Sequence, residues 1–78
     1  MKNCEGLSEL LRKIGKNIKK IRVKKGMTIK ELSIKTGIKE SYLIKIELGH
    51  AHGFRIENHA HKISHALNIT LRELFTFK

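Results

Sequence analysis

The stretch MTIKELSIKTGIKESYLIKIELG, residues 27–49, decides the fold of this chain. Thr28 and Glu31 have the S/T-x-x-E spacing of a capping box, which predicts that a helix begins at Ile29. Gly37 predicts the end of that helix, because glycine enters the left-handed backbone region without a Cβ penalty. The stretch therefore starts with one short helix and a tight turn.

A second short helix is predicted from about Lys39 to Leu48, with Gly49 at its end. The spacing of the apolar and small residues lets the two helices close on one shared face, and Ser33 is small enough to permit a near crossing. The residues of that face are Leu32, Thr36, Ile38, Leu43 and Ile46. This is the pattern of a helix-turn-helix, whose second helix can enter the DNA major groove.

The charge of the chain is strongly positive and unevenly distributed. The 78 residues suffice for one small domain, and they carry a net charge of +10 with a pI near 10.1. Residues 12–45 hold twelve Lys or Arg against two Glu, so this half contains essentially the whole excess. A single lysine is well explained as part of a solvated helix face, but the cluster indicates a nucleic-acid surface.

Cysteine content and hydropathy predict a cytoplasmic protein. Cys4 is the one cysteine, so no intrachain disulfide can form and a reducing compartment is expected. The apolar residues near the start are interleaved with charges, unlike a signal peptide. No apolar run approaches the roughly 20 residues of a membrane helix. We therefore expect no membrane partner.

A long amphipathic helix is predicted before the opening stretch. Its apolar residues fall on one stripe with a period near 3.6: Leu7, Leu10, Leu11, Ile14, Ile18 and Ile21. Residues 1–6 are predicted to be a frayed tail. Ser8 is a candidate cap for this helix, Gly15 a candidate break that would split it, and Gly26 its predicted end.

Two further helices are predicted after it. Residues 50–54 are predicted to form a loop, and Ile56, Ala60, Ile63 and Leu67 then repeat at helical spacing, giving a fourth helix that ends near Asn68. A second capping box, at residues 70 and 73, opens a short fifth helix. The pattern shows no strand alternation, so the predicted fold is all-α, a five-helix bundle.

Several short motifs occur in a recognisable order. They are I-x-x-I-R at 18–22, KGMT at 25–28, ELS at 31–33, TGI at 36–38, YL-x-x-IE-x-G at 42–49 and ALNITL-x-EL at 66–74. With these motifs the chain resembles the Cro/phage-repressor (XRE) helix-turn-helix family over residues 14–75. The resemblance implies a lambda-repressor-like DNA-binding domain at 14–75, after a partly helical extension at 1–13 and before a tail at 76–78.

The chain departs from the family pattern at three places. Ile29 stands where the family usually has a phosphate-contacting glutamine, and Lys39 replaces the usual small polar cap of the recognition helix. The segment between Gly49 and Ile56 is also longer than the commonest pattern and lacks its Asn-Pro. These differences leave the core pattern intact.

The resemblance implies which residues meet double-stranded DNA. The third helix would present its first turns to the base edges: Lys39, Glu40, Ser41, Tyr42, Ile44 and Lys45. Lysine can donate to guanine, glutamate can accept from cytosine N4, and serine can do either. The other interpretation of Ile44 is a partly covered surface residue, and that of Tyr42 is packing against the next helix.

Contacts to the phosphate backbone are expected from the amino end of the second helix, at Thr28 and Lys30. His50 and Arg55, after the third helix, are further candidates. The resemblance assigns Arg22 and Glu47 a structural role, as an ion pair that joins the first helix to the end of the third.

All five histidines lie between residues 50 and 65. His61 and His65 are four residues apart on the fourth helix, which is a spacing that a zinc, nickel or copper site can use. His59 falls near the core edge of the same helix, so the three side chains would not converge on one ion. The favoured interpretation is a half-polar surface without a metal; a metal-responsive regulator is the less favoured one.

The most strongly indicated function is a transcriptional regulator, in particular a repressor that binds an inverted repeat as a homodimer through helix 3. Its dimer surface is expected at Leu71, Phe75 and Phe77, or else at the leucines at positions 7, 10 and 11. The alternative is an antitoxin or a restriction–modification controller acting with a protein partner. An enzyme is disfavoured, since the chain has no aspartate, no phosphate-binding glycine loop and no oriented nucleophile. No cofactor is expected.

Overall fold

The computed structural model describes residues 2–76, with side chains for residues 8–55 and 57–76. Every regular element among these residues is a helix, which confirms the predicted all-α fold with five α-helices. The helices are α1 (Lys2–Lys24), α2 (Ile29–Thr36), α3 (Glu40–Leu48), α4 (His61–Leu67) and α5 (Leu71–Leu74). A π-helical turn, Ile56–Ala60, leads directly into α4.

Helix α1 is one continuous helix, longer than predicted. It begins at Lys2, so the prediction of a frayed tail over residues 2–6 is wrong. Ser8 lies inside the helix and does not cap it, and Gly15 does not split it. A helix that has already formed adds one hydrogen bond for each further residue it fixes, which favours its extension toward Lys2.

At Gly15, α1 and α3 approach each other closely. A Cβ atom built on Gly15 would lie 2.2 Å from the Ile46 carbonyl oxygen and 2.6 Å from that of Glu47. No other residue type lacks the Cβ, so only glycine permits this approach without movement of a backbone. Gly15 thus sets the distance between α1 and the helix that carries the candidate site.

The core lies between α1, α2, α3 and α4, with α5 closing one end. All five residues predicted for the shared face of α2 and α3 are buried, which confirms that face. The largest fully buried side chains are Ile18, Leu32, Leu43, Ile63, Leu67 and Leu74. Each such side chain contributes about 1.5–3 kcal/mol to folding when it leaves water, so these six dominate the packing.

Thr36 is a buried polar residue, and its hydroxyl organises the turn between α2 and α3. The hydroxyl donates to the Leu32 carbonyl oxygen at 2.7 Å and accepts from the Ile38 amide at 3.1 Å. The hydroxyl of Ser33 donates to the Ile38 carbonyl oxygen at 2.6 Å. Both polar groups of Ile38 are therefore satisfied by side chains, which makes the turn rigid.

The two predicted capping boxes are present. The Thr28 hydroxyl accepts from the Glu31 amide at 3.0 Å, and the Glu31 carboxylate accepts from the Thr28 amide at 2.8 Å. Thr70 and Glu73 form the same reciprocal pair at α5. Gly37 ends α2 in the left-handed region, at φ 78°. The boundaries of α2 and α5 follow from these local contacts.

The predicted fourth helix begins as expected at Ile56, but its first turn is π-helical. The Ala60 amide donates to the Arg55 carbonyl oxygen at 3.1 Å, five residues back along the chain. Asn68 then ends α4 with φ 59°, as the helix end predicted near this residue required.

The C-terminal helix α5 is held by a side chain of α1. The Asn17 amide donates to the Glu73 carbonyl oxygen at 3.2 Å and also to the Leu74 carbonyl oxygen. These are carbonyls of the last turn of α5, which have no partner within the helix. We call this contact the Asn17 clasp.

Candidate nucleic-acid interface

The outward face of α3 is exposed and its inward face is buried. Leu43 and Ile46 are 0% and 2% exposed and anchor the helix in the core. Five of the six residues expected to meet bases are exposed: Lys39, Glu40, Ser41, Ile44 and Lys45. Ile44 is 47% exposed, so it projects outward among polar neighbours. The exposed set offers donors, an acceptor and an apolar group on one short helix.

Lys39 occupies the position before α3 and makes no side-chain capping bond. Its backbone carbonyl accepts from the amides of Tyr42 and Leu43 at 3.0 and 2.9 Å, so the helix is closed by backbone alone. The Lys39 ammonium is therefore not used in holding the helix and lies on the exposed face.

Tyr42 packs against the segment before α4. Its ring lies 5.2 Å from the His59 ring, and its side chain is half-buried. Its hydroxyl lies 3.1 Å from where a Cβ on Gly53 would be. This placement agrees with the packing interpretation of Tyr42, since its ring is directed at the next helix.

The amino end of α2 lies at an exposed position of the domain. The Thr28 capping box leaves the other first-turn amides of α2 without side-chain partners among the described residues. Lys30 is exposed in the same turn. Free amides, the positive end of the helix dipole and an ammonium group together favour an anion there.

Arg22 and Glu47 form an ion pair between α1 and α3. The Arg22 Nε and a terminal guanidinium nitrogen donate to the two Glu47 oxygens at 2.7 and 3.1 Å. A further Arg22 nitrogen donates to the Met27 carbonyl oxygen at 2.8 Å. The two side chains are only 11% and 7% exposed. The pair is bidentate and nearly buried, so it orients α3 on α1.

His50 and Arg55 lie in the segment between α3 and the π-helical turn, and both are exposed. The His50 amide donates to the Lys45 carbonyl oxygen at 2.8 Å, which holds the start of this segment to the end of α3. Both residues therefore follow the exposed face of α3 in the chain and remain candidates for phosphate contacts.

His59 is set apart from the other histidines by its surroundings. Its ring lies between those of Tyr42 and Phe54, and its Nδ1 accepts from the Arg55 amide at 2.9 Å. Burial, together with the nearby charges of Lys62 and Arg55, lowers the pKa of His59 below 6.5. The imidazole is therefore neutral near pH 7 and acts as a hydrogen-bond acceptor.

His61 and His65 are exposed on α4, where their near neighbours are the cationic Lys35 and Lys62. Among the side chains described for residues 8–55 and 57–76, no three of His, Cys, Asp or Glu come close enough to hold a metal ion together. Two lysines beside a histidine pair would also oppose the binding of a divalent cation. The geometry therefore gives no support to a metal centre on this face.

Sequence reasoning missed two residues that position the site. Gly15 was considered as a helix break, although its place beside Ile14 and Ile18 on the apolar stripe indicates a packed position. No role was predicted for Asn17, although its side chain is an uncharged amide among the lysines of residues 12–25. In both cases the partner is distant in the chain, so no local pattern could identify it.

A search of residues 2–76 for a helix with the length and apolar content to cross a membrane finds none.

Comparison with known proteins identifies the family. A family model described as a helix-turn-helix domain matches residues 15–78. The chain is 39% identical over 62 residues to the HTH-type transcriptional regulator SlrR of Bacillus subtilis (strain 168), a match that covers 80% of this chain and 40% of SlrR. The chain thus spans less than half the length of that relative.

A solved structure agrees with the fold. The crystal structure of the restriction-modification controller protein C.AhdI from Aeromonas hydrophila superposes with a TM-score of 0.77 at 32% identity. The match covers 83% of this chain and 96% of that protein. The prediction that this chain is not an enzyme is confirmed by these relatives. The chain belongs to the helix-turn-helix family of the Cro/phage-repressor (XRE) type, as its motifs predicted.

Proposed function

We propose that the chain is a sequence-specific transcriptional regulator that reads the major groove of DNA through α3. The observation that carries the proposal is the exposed, mixed donor and acceptor face of α3 on a rigidly anchored helix. The net charge of +10 supplies the general attraction to a polyanion. SlrR, described as a transcriptional regulator, supports the same function.

Different residues of α3 would contact different base edges in the major groove. Lys39 and Lys45 would donate to guanine O6 and N7, Glu40 would accept from cytosine N4, and Ser41 would do either. Ile44 would contact a thymine methyl group, because it is an apolar side chain exposed between polar ones. Tyr42, whose ring is occupied in packing, would reach a phosphate only through its hydroxyl.

Phosphate contacts would fix the register of α3 on the duplex. The amino end of α2, with Thr28 and Lys30, would bind one phosphate, and His50 and Arg55 would approach the backbone from the segment after α3. These contacts add affinity without adding sequence preference, so they weaken as the salt concentration rises.

We further propose a homodimer that acts as a repressor on an inverted repeat in the cytoplasm. One short helix reads only a few base pairs, and two-fold symmetry doubles the contacts. Leu71 and Phe75 are half-buried at the α5 end, while Phe77 lies outside the described residues. Of the alternative leucines, Leu11 is buried in the core, Leu10 is 46% exposed, and the side chain at position 7 is not described.

Selection from a random duplex library at about 150 mM salt tests the proposal. We expect enrichment of a palindrome. Lys39→Ala should weaken binding to it by about 1–3 kcal/mol and relax the preference at one base position, since a base contact is lost. Lys13→Ala is the matched control, because it removes an exposed lysine of α1 outside the α3 face.

Two outcomes would contradict parts of the proposal. If no motif is enriched and binding is uniform and salt-sensitive, α3 does not read bases. If the protein sediments as a monomer at high micromolar concentration and binds a single half-site, the homodimer is wrong while base reading stands. The two measurements therefore test the two parts separately.

A restriction–modification controller is the second candidate, because the chain aligns with nearly the whole of C.AhdI, at 96% of that protein. Such a controller, or an antitoxin, would keep the α3 interface and add a protein partner. The distinguishing observation is whether the adjacent reading frame encodes a nuclease, a methyltransferase or a toxin that co-purifies with the chain.

A further inference from the structure

An apolar groove lies beside the α3 face, between α1 and α3. Its floor consists of Val23, Ile29, Ile44 and Leu48, and it encloses about 1030 Å³. Val23, Ile44 and Leu48 are 58%, 47% and 56% exposed, which is high for large apolar side chains that lie together. Single exposed apolar residues are ordinary, but a contiguous group of them marks an interaction surface.

The rim of the groove is cationic along one side. Its basic residues follow α1 over three turns: Arg12, Lys16, Lys19, Lys20 and Lys24. At 1.5 Å per residue, this row is about 18 Å long. Glu47 is the one acidic residue among the described residues of the lining, and its carboxylate is already bound to Arg22. Arg12 also pairs with the exposed Glu9, so the unbalanced positive edge is that of the four lysines. The groove therefore combines an apolar floor with a cationic edge.

The shape and chemistry of the groove select among possible occupants. A small ligand is normally enclosed over most of its surface, and this groove is too open for that because three of its four floor residues are about half exposed. The phosphates of DNA would satisfy the rim but would leave the apolar floor uncovered. An amphipathic helix with an apolar stripe and an acidic flank satisfies both and matches the length of the row.

We propose that this groove binds an acidic amphipathic helix of a partner protein. The apolar stripe of that helix would cover Val23 and Leu48, and its carboxylates would face the basic row of α1. Ile44 belongs both to the groove and to the α3 face. Occupation of the groove would therefore compete with DNA, a consequence that rests on the proposed function, whereas the binding itself does not.

The test uses a synthetic, side-chain-stapled helix of about 12 residues, with leucines on one stripe and glutamates beside it. Binding to the full chain is followed by NMR titration. We expect shifts centred on Val23, Ile44 and Leu48. Val23→Lys should weaken binding at least about tenfold, although it adds a positive charge that alone would attract the peptide.

Ile34→Lys is the matched control, because Ile34 is 73% exposed on α2 and lies outside the groove. It should change the affinity less than about twofold. Equal binding of a peptide with the same composition in scrambled order, equal weakening by Ile34→Lys, or no binding of the stapled helix would each overturn the proposal. Binding of Val23→Lys to the selected operator, measured in parallel, tests the proposed function independently.

Discussion

At the scale of single residues, the position of α3 depends on the absence of a Cβ atom at Gly15. Gly15 lies within a continuous helix, where glycine is less favourable than alanine by about 1 kcal/mol. Glycine is nevertheless required here, because α3 passes so near that a Cβ would collide with two of its carbonyl oxygens. Local preference and tertiary packing therefore oppose each other at this residue.

The Gly15→Ala variant shows which effect is larger, the helix preference for alanine or the collision of its Cβ with α3. We expect the substitution to lower the free energy of unfolding by about 3 kcal/mol, since overpacking against backbone cannot be relieved by a side-chain rotation. Urea denaturation measures the change. Gly26→Ala is the control: its φ is 69° but nothing lies near its Cβ position, so about 1–2 kcal/mol of backbone strain is expected alone. A stabilised Gly15→Ala variant would contradict the close approach.

At the scale of elements, the features that the sequence predicts are those whose causes are local in the chain. The starts of α2 and α5 follow from contacts between residues three apart, and Gly37 marks the end of α2 by its own conformation. The close approach of α1 to α3 depends on residues distant in the chain, which no spacing reveals. The helical spacing of the apolar residues from Ile56 onward does not distinguish a π-helical first turn from an α-helical one. The α3 face was predictable because burial of Leu43 and Ile46 leaves its neighbours outside.

The Arg22–Glu47 pair joins two elements, and breaking it should be costly. Glu47→Ala leaves the Arg22 guanidinium charged and nearly buried, so we expect a loss of about 3–5 kcal/mol in the free energy of unfolding. Thermal denaturation gives the change in Tm. Glu9→Ala is the matched control, because Glu9 pairs with Arg12 at 3.3 Å but both side chains are more than half exposed. That pair should be worth less than about 1 kcal/mol; equal losses for the two variants would contradict the structural role of Glu47.

At the scale of the whole molecule, His59 contributes to the pH dependence of stability. The histidine is neutral in the fold, with its pKa lowered mainly by burial and then by Lys62 and Arg55. The unfolded chain binds a proton at His59 near pH 6.5, before the folded chain does. The contribution of His59 to the free energy of unfolding is therefore fully present above pH 6.5. It is lost as the pH falls through the lower pKa that His59 has in the folded chain.

Urea denaturation between pH 7.5 and 5 measures this effect. The slope attributable to His59 should be positive with pH and no steeper than about 1.4 kcal/mol per pH unit, the limit for one proton. His59→Gln should remove that slope, whereas His61→Gln, at an exposed position of α4, should keep it. A His59→Gln curve with an unchanged slope would show that other groups dominate the titration.

The Asn17 clasp has a consequence for the order in which the chain folds. It joins residues 56 positions apart, whereas the contacts that shape α2, its turn and α3 span only a few residues. Closing a long loop costs more conformational entropy than closing a short one, and local contacts generally form first. The helix-turn-helix formed by α2 and α3 can thus take shape before α5 docks on α1. The Asn17 clasp closes last, after α5 has reached α1.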